Sequence, residues 1–557
     1  QFSSDLIVNL HKNFSDDFGG TLTLGQNYFT LTQNNVFTNG SGFNVGGFYD
    51  LSNAQSVQGF ESEGHKRTMA FYMDAELNYK KMLFLTITGR DETSSTLPAA
   101  HNNFFYPSVG LGWAFTELPS IKNSNITNTL SFGKIRASFA QVGKDAPLYG
   151  LNTPFTSAVF ADGFTGGITF PANGSSGYQI SSAISVVGNP DLKPENTYSY
   201  EGGFDLGFLK NRLTFNATGY FSKSTNGILQ VSLPFSTGFA AKLLNATTIT
   251  NKGLELTVDG TPVQTSYGLK WNIIVNWSRN VSKVVELYPG IQTFFMGGFG
   301  AGGEAGIFAV KGQPFGVIYG STTPHANPND LKSPLLIDDR TGSDSYGQPI
   351  PGGVGPSLVI GNPNPDWIGS VINNVSYKGW ALGFQIDVRH GGALWNGTRG
   401  ALANKGTAGE TANRGQATVF KGVLGHIDDA GNVVHTENGI DKPGPGGVNT
   451  IQSSYNEYYW QNTGNSFGGG QETDLENGGF VRIRQLSLSY ELPRKMLGNG
   501  PFTSLSLTAF ANNLHVWTKY DGVDPETSLG GPSNSQGLDY FNNPNTKSWG
   551  LRLTMGL

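Results

Sequence analysis

Along most of the chain apolar residues recur at every second position. Phe71, Met73, Ala75, Leu77 and Tyr79 alternate with Tyr72, Asp74, Glu76 and Asn78; after Lys80-Lys81, Leu83, Leu85 and Ile87 alternate with Phe84, Thr86 and Thr88. Period 2 predicts half-buried β-strands, here a hairpin closed by a two-residue turn. The same design brackets Lys210-Asn211, with Phe204, Leu206, Phe208 before and Leu213, Phe215, Ala217 after. It also brackets Lys378-Gly379, with Val375 and Tyr377 before and Leu382, Phe384, Ile386, Val388 after. Single runs include Val109 to Phe115, Leu269 to Trp277 and Leu486 to Tyr490. The last residues repeat the pattern, with Trp549, Leu551, Leu553, Met555 and Leu557 on one face and Arg552 and Thr554 on the other. About fourteen strands are predicted, all antiparallel.

The connections fall into two size classes. Short turns contrast with long Gly, Pro, Asn and Ser-rich stretches at Gly143 to Asn196, Pro289 to Pro365 and Gly391 to Gly478. Aromatics gather beside the short turns: Tyr79 and Phe84, Tyr377 and Trp380, Tyr490 and Phe502. β-propensity alone enriches aromatics in strands. Combined with the sorting of loops by length, they read instead as an interfacial girdle of a transmembrane β-barrel with short periplasmic turns and long extracellular loops. Register is then enforced. With Leu382, Phe384, Ile386 and Val388 toward lipid, Gln385, Asp387 and Arg389 face the lumen, and a one-residue slip puts Arg389 in hydrocarbon at a cost of about 2 to 4 kcal/mol near the midplane.

Composition agrees. Charged residues make up 14% of the 557, against roughly 25% for soluble domains, and mean hydropathy is slightly negative at -0.25. No run of about 18 apolar residues occurs, so no membrane-spanning helix is expected. Cysteine is absent and net charge is -5. Disulfides and thiolate metal sites are thereby excluded, and no basic stripe for nucleic acid exists.

Several stretches carry a family likeness. They are Gly89-Arg90-Asp91-Glu92-Thr93-Ser94-Ser95 followed by Tyr106 to Trp113; Lys134 to Phe139; Asn189-Pro190-Asp191-Leu192-Lys193-Pro194-Glu195; Thr250-Asn251-Lys252-Gly253-Leu254-Glu255-Leu256; Gly361 to Asp366; Phe480 to Tyr490; and Asn512-Asn513-Leu514 with Lys519-Tyr520-Asp521-Gly522-Val523-Asp524-Pro525-Glu526. In this order they resemble the SusC/RagA-like branch of TonB-dependent outer-membrane transporters across nearly the whole chain. The resemblance implies a barrel of about twenty-two strands, of which residues 1–557 would be the C-terminal portion. Signal peptide, TonB-contact segment, plug domain and first strands would lie outside this chain, and Gln1 would not be the native start. It further implies an importer of glycans or oligopeptides, working with a SusD-like surface lipoprotein and energised by TonB, ExbB and ExbD. A siderophore-type receptor without the lipoprotein and a soluble β-rich adhesin are the alternatives. The motif residues Arg90, Asp91, Ser94, Ser95, Asn189, Pro190, Asn251, Gly253, Glu255, Asn513, Tyr520, Asp524, Pro525 and Glu526 are expected to be structural.

No catalytic, cofactor or metal site is expected. Gly298, Gly300 and Gly303 match G-x-G-x-x-G and Gly464, Ser466 and Gly468 match G-x-S-x-G, but neither lies between a strand and a helix. Asp338 to Asp344 lacks the alternating ligands of a calcium loop and reads as a polar surface loop. His325, His426 and His435 fall in loop-like sequence and read as exposed. Trp395, Tyr455, Tyr458, Tyr459 and Trp460 are the candidate loop contacts, for a ligand or, by preference, for packing a loop or a partner.

Overall fold

The computed structural model describes residues 1–153, 186–237, 239–298, 305–352, 357–498 and 500–556, with two-residue strand segments between 156 and 179. Fifteen long strands follow in chain order in a large antiparallel sheet: β1 (Phe2–Asn13), β2 (Phe18–Phe43), β3 (Ala54–Tyr79), β4 (Leu83–Ser94), β5 (Asn103–Trp113), β6 (Leu130–Lys144), β7 (Glu195–Phe208), β8 (Leu213–Ser232), β9 (Ala241–Gln264), β10 (Leu269–Leu287), β11 (Trp367–Tyr377), β12 (Trp380–His390), β13 (Phe480–Glu491), β14 (Ser504–Thr518) and β15 (Ser548–Gly556). Two compact units divide the chain. One comprises 1–127, 132–204 and 220–250, and the other 128–131, 205–219 and 251–557.

In the first unit, β2 and β3 pair from Phe18↔Tyr79 to Phe43↔Ala54, and β3 and β4 from Tyr79↔Leu83 to Thr68↔Ser94. The β3–β4 connection is therefore 80–82, one residue longer than the alternation predicts, because Lys80 and Lys81 both turn through φ of 52° and Met82 completes the reversal. Phe71, Met73 and Tyr79 stand exposed on one face beside Val109, Leu111 and Trp113. A large exposed apolar face is what a lipid-facing wall requires. The connections 14–17 and 80–82 lie at one end, and 44–53, 95–102 and the long segment after Lys144 at the other. At that second end Leu97, Phe104, Ala146, Leu192 and Leu243 form a small core.

In the second unit β10 to β15 pair successively. The connection 378–379 is the predicted two-residue turn: Tyr377 pairs with Trp380, and Lys378 and Gly379 have φ of 46° and 88°, the pair of left-handed conformations of a type I′ hairpin. A Cβ on Gly379 would stand 2.7 Å from the Glu491 carbonyl, so glycine is required twice over. In β15, Trp549, Leu551, Leu553 and Met555 are exposed on one face as the alternation predicts; Leu557 lies outside the described residues.

The long connections of this unit fold into structure of their own. Thr293–Gly298, Gly306–Val310, Val317–Ser321 and Ser357–Gly361 make a four-stranded sheet, and Leu475–Asn477, Ala393–Asn396 and Leu538–Asp539 a three-stranded one. Ala305, Ile307, Ile318, Ile360, Trp395 and Leu538 are their shared core.

Candidate functional site

On β12 the polar residues Gln385, Asp387 and Arg389 alternate with the apolar set from Leu382 to Val388, so strand geometry alone sends both kinds to opposite faces. The neighbouring β13 is not regular. Ile386 pairs with Ile483 but Gln385 with Gln485, and toward β14 Ile483 pairs with His515 but Gln485 with Asn512. Toward β12 Arg484 is thus the extra residue of a β-bulge, and toward β14 the extra residue lies in β14, where Asn513 takes a left-handed conformation (φ 51°). The bulge changes the parity after Arg482 and Arg484, so that Leu486 and Leu488 return to the outer face. Those two arginines, two residues apart, share the interior face by alternation alone.

There the two arginines meet residues of the connection 519–547. The Arg484 guanidinium donates to Asp387 Oδ2 at 2.6 Å, to Glu526 Oε1 at 2.7 Å and Oε2 at 3.0 Å, and to Asn513 Oδ1 at 3.2 Å. This is a bidentate carboxylate grip with two further acceptors. Arg482 donates to Asp524 Oδ1 at 2.6 Å, stands 3.2 Å from Glu526 Oε2 and covers the Phe480 ring at 5.3 Å. Arg482 and Asp524 are buried, at 2% and 4% exposure. The Glu526 N–H donates to Asp524 Oδ1, which fixes the spacing of the two carboxylates.

Beside this network opens a cleft of about 850 Å³, lined by Glu255, Asn276, Ser370, Gln385, Arg389 and Gln536 among others. Its wall is a chain of hydrogen bonds across strands. Thr257 donates to Asn276 (2.9 Å), Asn276 to Ser370 (3.3 Å) and Gln385 to Asp387 (2.7 Å). Arg389 donates to the Pro363 carbonyl. The Arg482 and Arg484 charges are matched by Asp387, Asp524 and Glu526, while Arg389 is held by a backbone carbonyl, so the wall offers a polar solute amides and hydroxyls beside largely paired charges. No nucleophile and base stand together in it.

The motif residues fall in several places. Asn513, Asp524 and Glu526 belong to the network just described, and Glu255, on β9 with Asn251 and Gly253, lines the cleft. Tyr520 is buried and donates to Asp539. Arg90 pairs with Glu92 at 2.6 Å, Asp91 lies on the exposed face opposite Phe71, and Ser94 donates to Asp145 at 2.6 Å, where Lys66 also binds. Ser95 accepts from the Arg67 N–H, Asn189 caps Asp191, and Pro190 is exposed beside it.

The loop aromatics pack within the folded connections. Trp395 is fully buried in the core between Ile318 and Leu538 and is closed to any ligand. Trp460 is buried too and donates to Asn413 at 3.1 Å. Tyr455 and Tyr459 pack on Phe420, with ring centroids 5.1 and 4.9 Å from it, and Trp460 packs on the two tyrosines. Burial pushes the Tyr459 hydroxyl up to about 12. Tyr458 is half-buried. The expectation of exposed histidines is corrected. His325 and His426 are buried, the latter donating from Nδ1 to Asp339 (2.8 Å), because the connections fold on one another. Asp338 is also fully buried, gripped by Arg340, Ser343 and Ser345, although Arg340, Thr341, Gly342 and Asp344 beyond it lie exposed on the surface. Ser466 is buried in a loop, and Gly298 ends a strand; Gly300 and Gly303 lie outside the described residues. Among the described residues no three metal-ligating side chains converge. Asn276 and Gln536 escaped the reading of motifs, and Arg484, inside the Phe480 to Tyr490 stretch, was not singled out, although the break in alternation between Ile483 and Leu486 is visible in the sequence.

A family model described as TonB dependent receptor-like, beta-barrel matches residues 2–514. TonB-dependent receptor P26 of Formosa agariphila is 23% identical over 91% of this chain and 48% of its own length. TonB-dependent receptor SusC of Bacteroides thetaiotaomicron is 26% identical over 40% of this chain and 22% of its own. The chain spans about half the length of the longest-matching curated relatives. Among solved structures, that of the RagAB peptide transporter superposes with a TM-score of 0.69 at 17% identity, covering 99% of this chain and 54% of the other. The RagAB peptide importer in its open-open state gives 0.70 at 17% identity over 100% and 54%. Family match, antiparallel sheet and apolar outer face agree: the chain belongs to the TonB-dependent receptor-like β-barrel family of the outer membrane.

Proposed function

We propose that the chain is the barrel of an active importer that takes up glycans or oligopeptides. The observation that carries this reading is the polar wall, its charges largely paired, around the 850 Å³ cleft, set against an apolar outer face. Such a wall wets and passes hydrogen-bonding solutes while the outer face holds the sheet in lipid. The likeness to the RagAB peptide transporter supports oligopeptides as cargo and a second component, and the likeness to SusC supports the receptor branch. In this reading a SusD-like surface lipoprotein covers the long-loop end, and a plug domain, contributed by the half of the receptor that the matched relatives carry beyond this barrel, closes the lumen. TonB with ExbB and ExbD supplies the energy. The activity is transport, without catalysis.

Uptake of fluorescent oligosaccharides and oligopeptides by cells with and without the gene tests it. Uptake is expected to disappear in the deletion strain and after addition of a protonophore. Accumulation that survives the protonophore, or purification in mild detergent without any stoichiometric lipoprotein, overturns the reading.

A further inference from the structure

The second unit separates its charges along the strand direction. Its three long connections, 288–366, 391–479 and 519–547, hold nineteen Asp and Glu against ten Lys and Arg. The four connections at the other end are 209–212, 265–268, 378–379 and 492–503. They hold Lys210, Arg212, Lys378, Arg494 and Lys495 and no acid; Glu491, which ends β13, is the one acid bordering them. In a chain of net charge -5 this rim is a basic exception. Short connections of such barrels face the periplasm.

Among the described residues no carboxylate neutralises these five cations. Arg212 donates to the carbonyls of Thr261 (3.0 Å) and Pro262 (3.2 Å), and Arg494 to the Thr503 carbonyl (3.1 Å). Both guanidinium groups are therefore positioned by neutral acceptors and keep their charge. The Lys378 ammonium lies over the Tyr377 ring, 5.1 Å from its centroid. Tyr377 pairs with Trp380 and Trp380 with Tyr490, its ring 4.7 Å away, and both Tyr377 and Trp380 are exposed on the outer face. Lys210 and Lys378 occupy left-handed turn positions, at φ of 60° and 46°, which Gly, Asn and Asp fill more easily. The first unit, by contrast, pairs cations of its own short connections: Lys80 lies 3.5 Å from Asp17, and Lys122 2.6 Å from Glu117.

We propose that the basic rim of the second unit binds anionic phospholipids of the periplasmic leaflet through their headgroups. Aromatic rings at the edge of the apolar face with cations just beyond them match the depth order of a bilayer, rings at the interface and charges among the phosphates. Neighbouring hairpins stand two strand spacings apart, roughly 10 Å, which is about one Debye length at 0.1 M salt, so charges on adjacent turns act together. Each Lys or Arg near an anionic surface contributes about a fivefold preference over a neutral residue. Because Tyr377 belongs to the outer face, the charge over it is presented to lipid rather than to a soluble protein beneath the rim. The inference is independent of the cargo and needs only the outer-membrane barrel.

For the test, the full receptor is purified in mild detergent and titrated with phosphatidylglycerol or phosphatidylethanolamine in mixed micelles, and bound lipids are counted by native mass spectrometry. Wild type is expected to prefer phosphatidylglycerol by about tenfold or more at about 0.1 M salt, and to lose most of that preference at about 1 M. Lys210→Gln, Arg212→Gln, Lys378→Gln, Arg494→Gln and Lys495→Gln combined should abolish it. Exchanging Lys for Arg and Arg for Lys at the same five positions should retain it. Resistance to SDS until boiling verifies that each variant is folded. Equal binding of the two lipids by wild type, or an undiminished preference in the glutamine variant, overturns the proposal. Release of phosphatidylglycerol by excess inorganic phosphate also overturns it, by identifying a site for free anions. A glutamine variant that keeps the preference yet loses uptake overturns it in favour of a periplasmic protein.

Discussion

The Arg482–Asp524 pair holds the connection 519–547 to the barrel wall, and its removal has a calculable effect. In Asp524→Ala the guanidinium keeps its burial and the Phe480 ring but loses the carboxylate at 2.6 Å. Deleting one partner of a buried ion pair costs about 3 to 5 kcal/mol. Glu526 Oε2, 3.2 Å from Arg482 Nε, retains part of the attraction, which places the cost near the low end, about 3 kcal/mol. The strands have their own ladders, so the loss is felt in local opening of the connection rather than in the sheet. About 3 kcal/mol is roughly a 150-fold increase in the opening constant. Hydrogen exchange of peptides spanning 519–530, followed by mass spectrometry in detergent, reads that factor directly. The double variant Arg482→Met, Asp524→Leu leaves no orphaned charge and is expected to exchange within about 1 kcal/mol of wild type. Exchange of Asp524→Ala within threefold of wild type, or a double variant as open as the single one, refutes the tether.

The other expectations are independent of this pair. Burial opposes ionisation of Asp338, but hydrogen bonds from Arg340, Ser343 and Ser345 outweigh it and hold the carboxyl at about 2. Its stabilisation is complete above the unfolded value near 4 and is lost as pH falls through about 2. The shift amounts to about 2.5 kcal/mol. Pepsin cleavage within 336–348 should therefore rise in wild type only below about pH 3, whereas Asp338→Asn is cut throughout pH 2 to 4; equal profiles contradict the assignment. Trp395→Ala should destabilise the folded connections by about 3 to 5 kcal/mol, read by protease sensitivity of 391–479, while Tyr458→Ala costs under about 1 kcal/mol. Leu551→Arg places a charge on the exposed face of β15 and should cost about 2 to 4 kcal/mol at the midplane, seen as lost SDS-resistant refolding into vesicles. Thr554→Lys, on the opposite face, should refold as wild type does.

The strands were legible because period 2 and a one-sided membrane environment act on each residue locally. Trp549 to Met555 and, with Phe71, Met73 and Tyr79 at its exposed positions, β3 show the exposed apolar face that their alternation predicts, while on β12 Leu382 is exposed and Phe384, Ile386 and Val388 are half-buried. The Lys378-Gly379 turn was legible for the same local reason, a left-handed pair that glycine accommodates. What resisted reading lies in the long connections. Ile307, Trp395 and Leu538 share one core although well over a hundred residues separate Leu538 from Trp395, and nothing periodic marks them. Their Gly and Asn-rich surroundings resemble solvated loops, so His426 and Asp338 read as accessible when they are interior. A short apolar segment reveals its burial only through its partners, and those come from other connections.

The bulge at Arg484 lies between these two cases. Had β13 continued in regular register from Val481 and Ile483, which face outward, Gln485, Ser487 and Ser489 would follow them into lipid, and Leu486 and Leu488 would line the polar lumen. One extra residue removes that conflict: Val481 and Ile483 before it and Leu486 and Leu488 after it all keep to the outer face. The same residue is the arginine that grips Asp387 and Glu526. Lipid on one side therefore dictates where the inner side receives its most highly connected charge, and the parity break that looks like a defect in the alternation is the position where the wall and the connection 519–547 are joined.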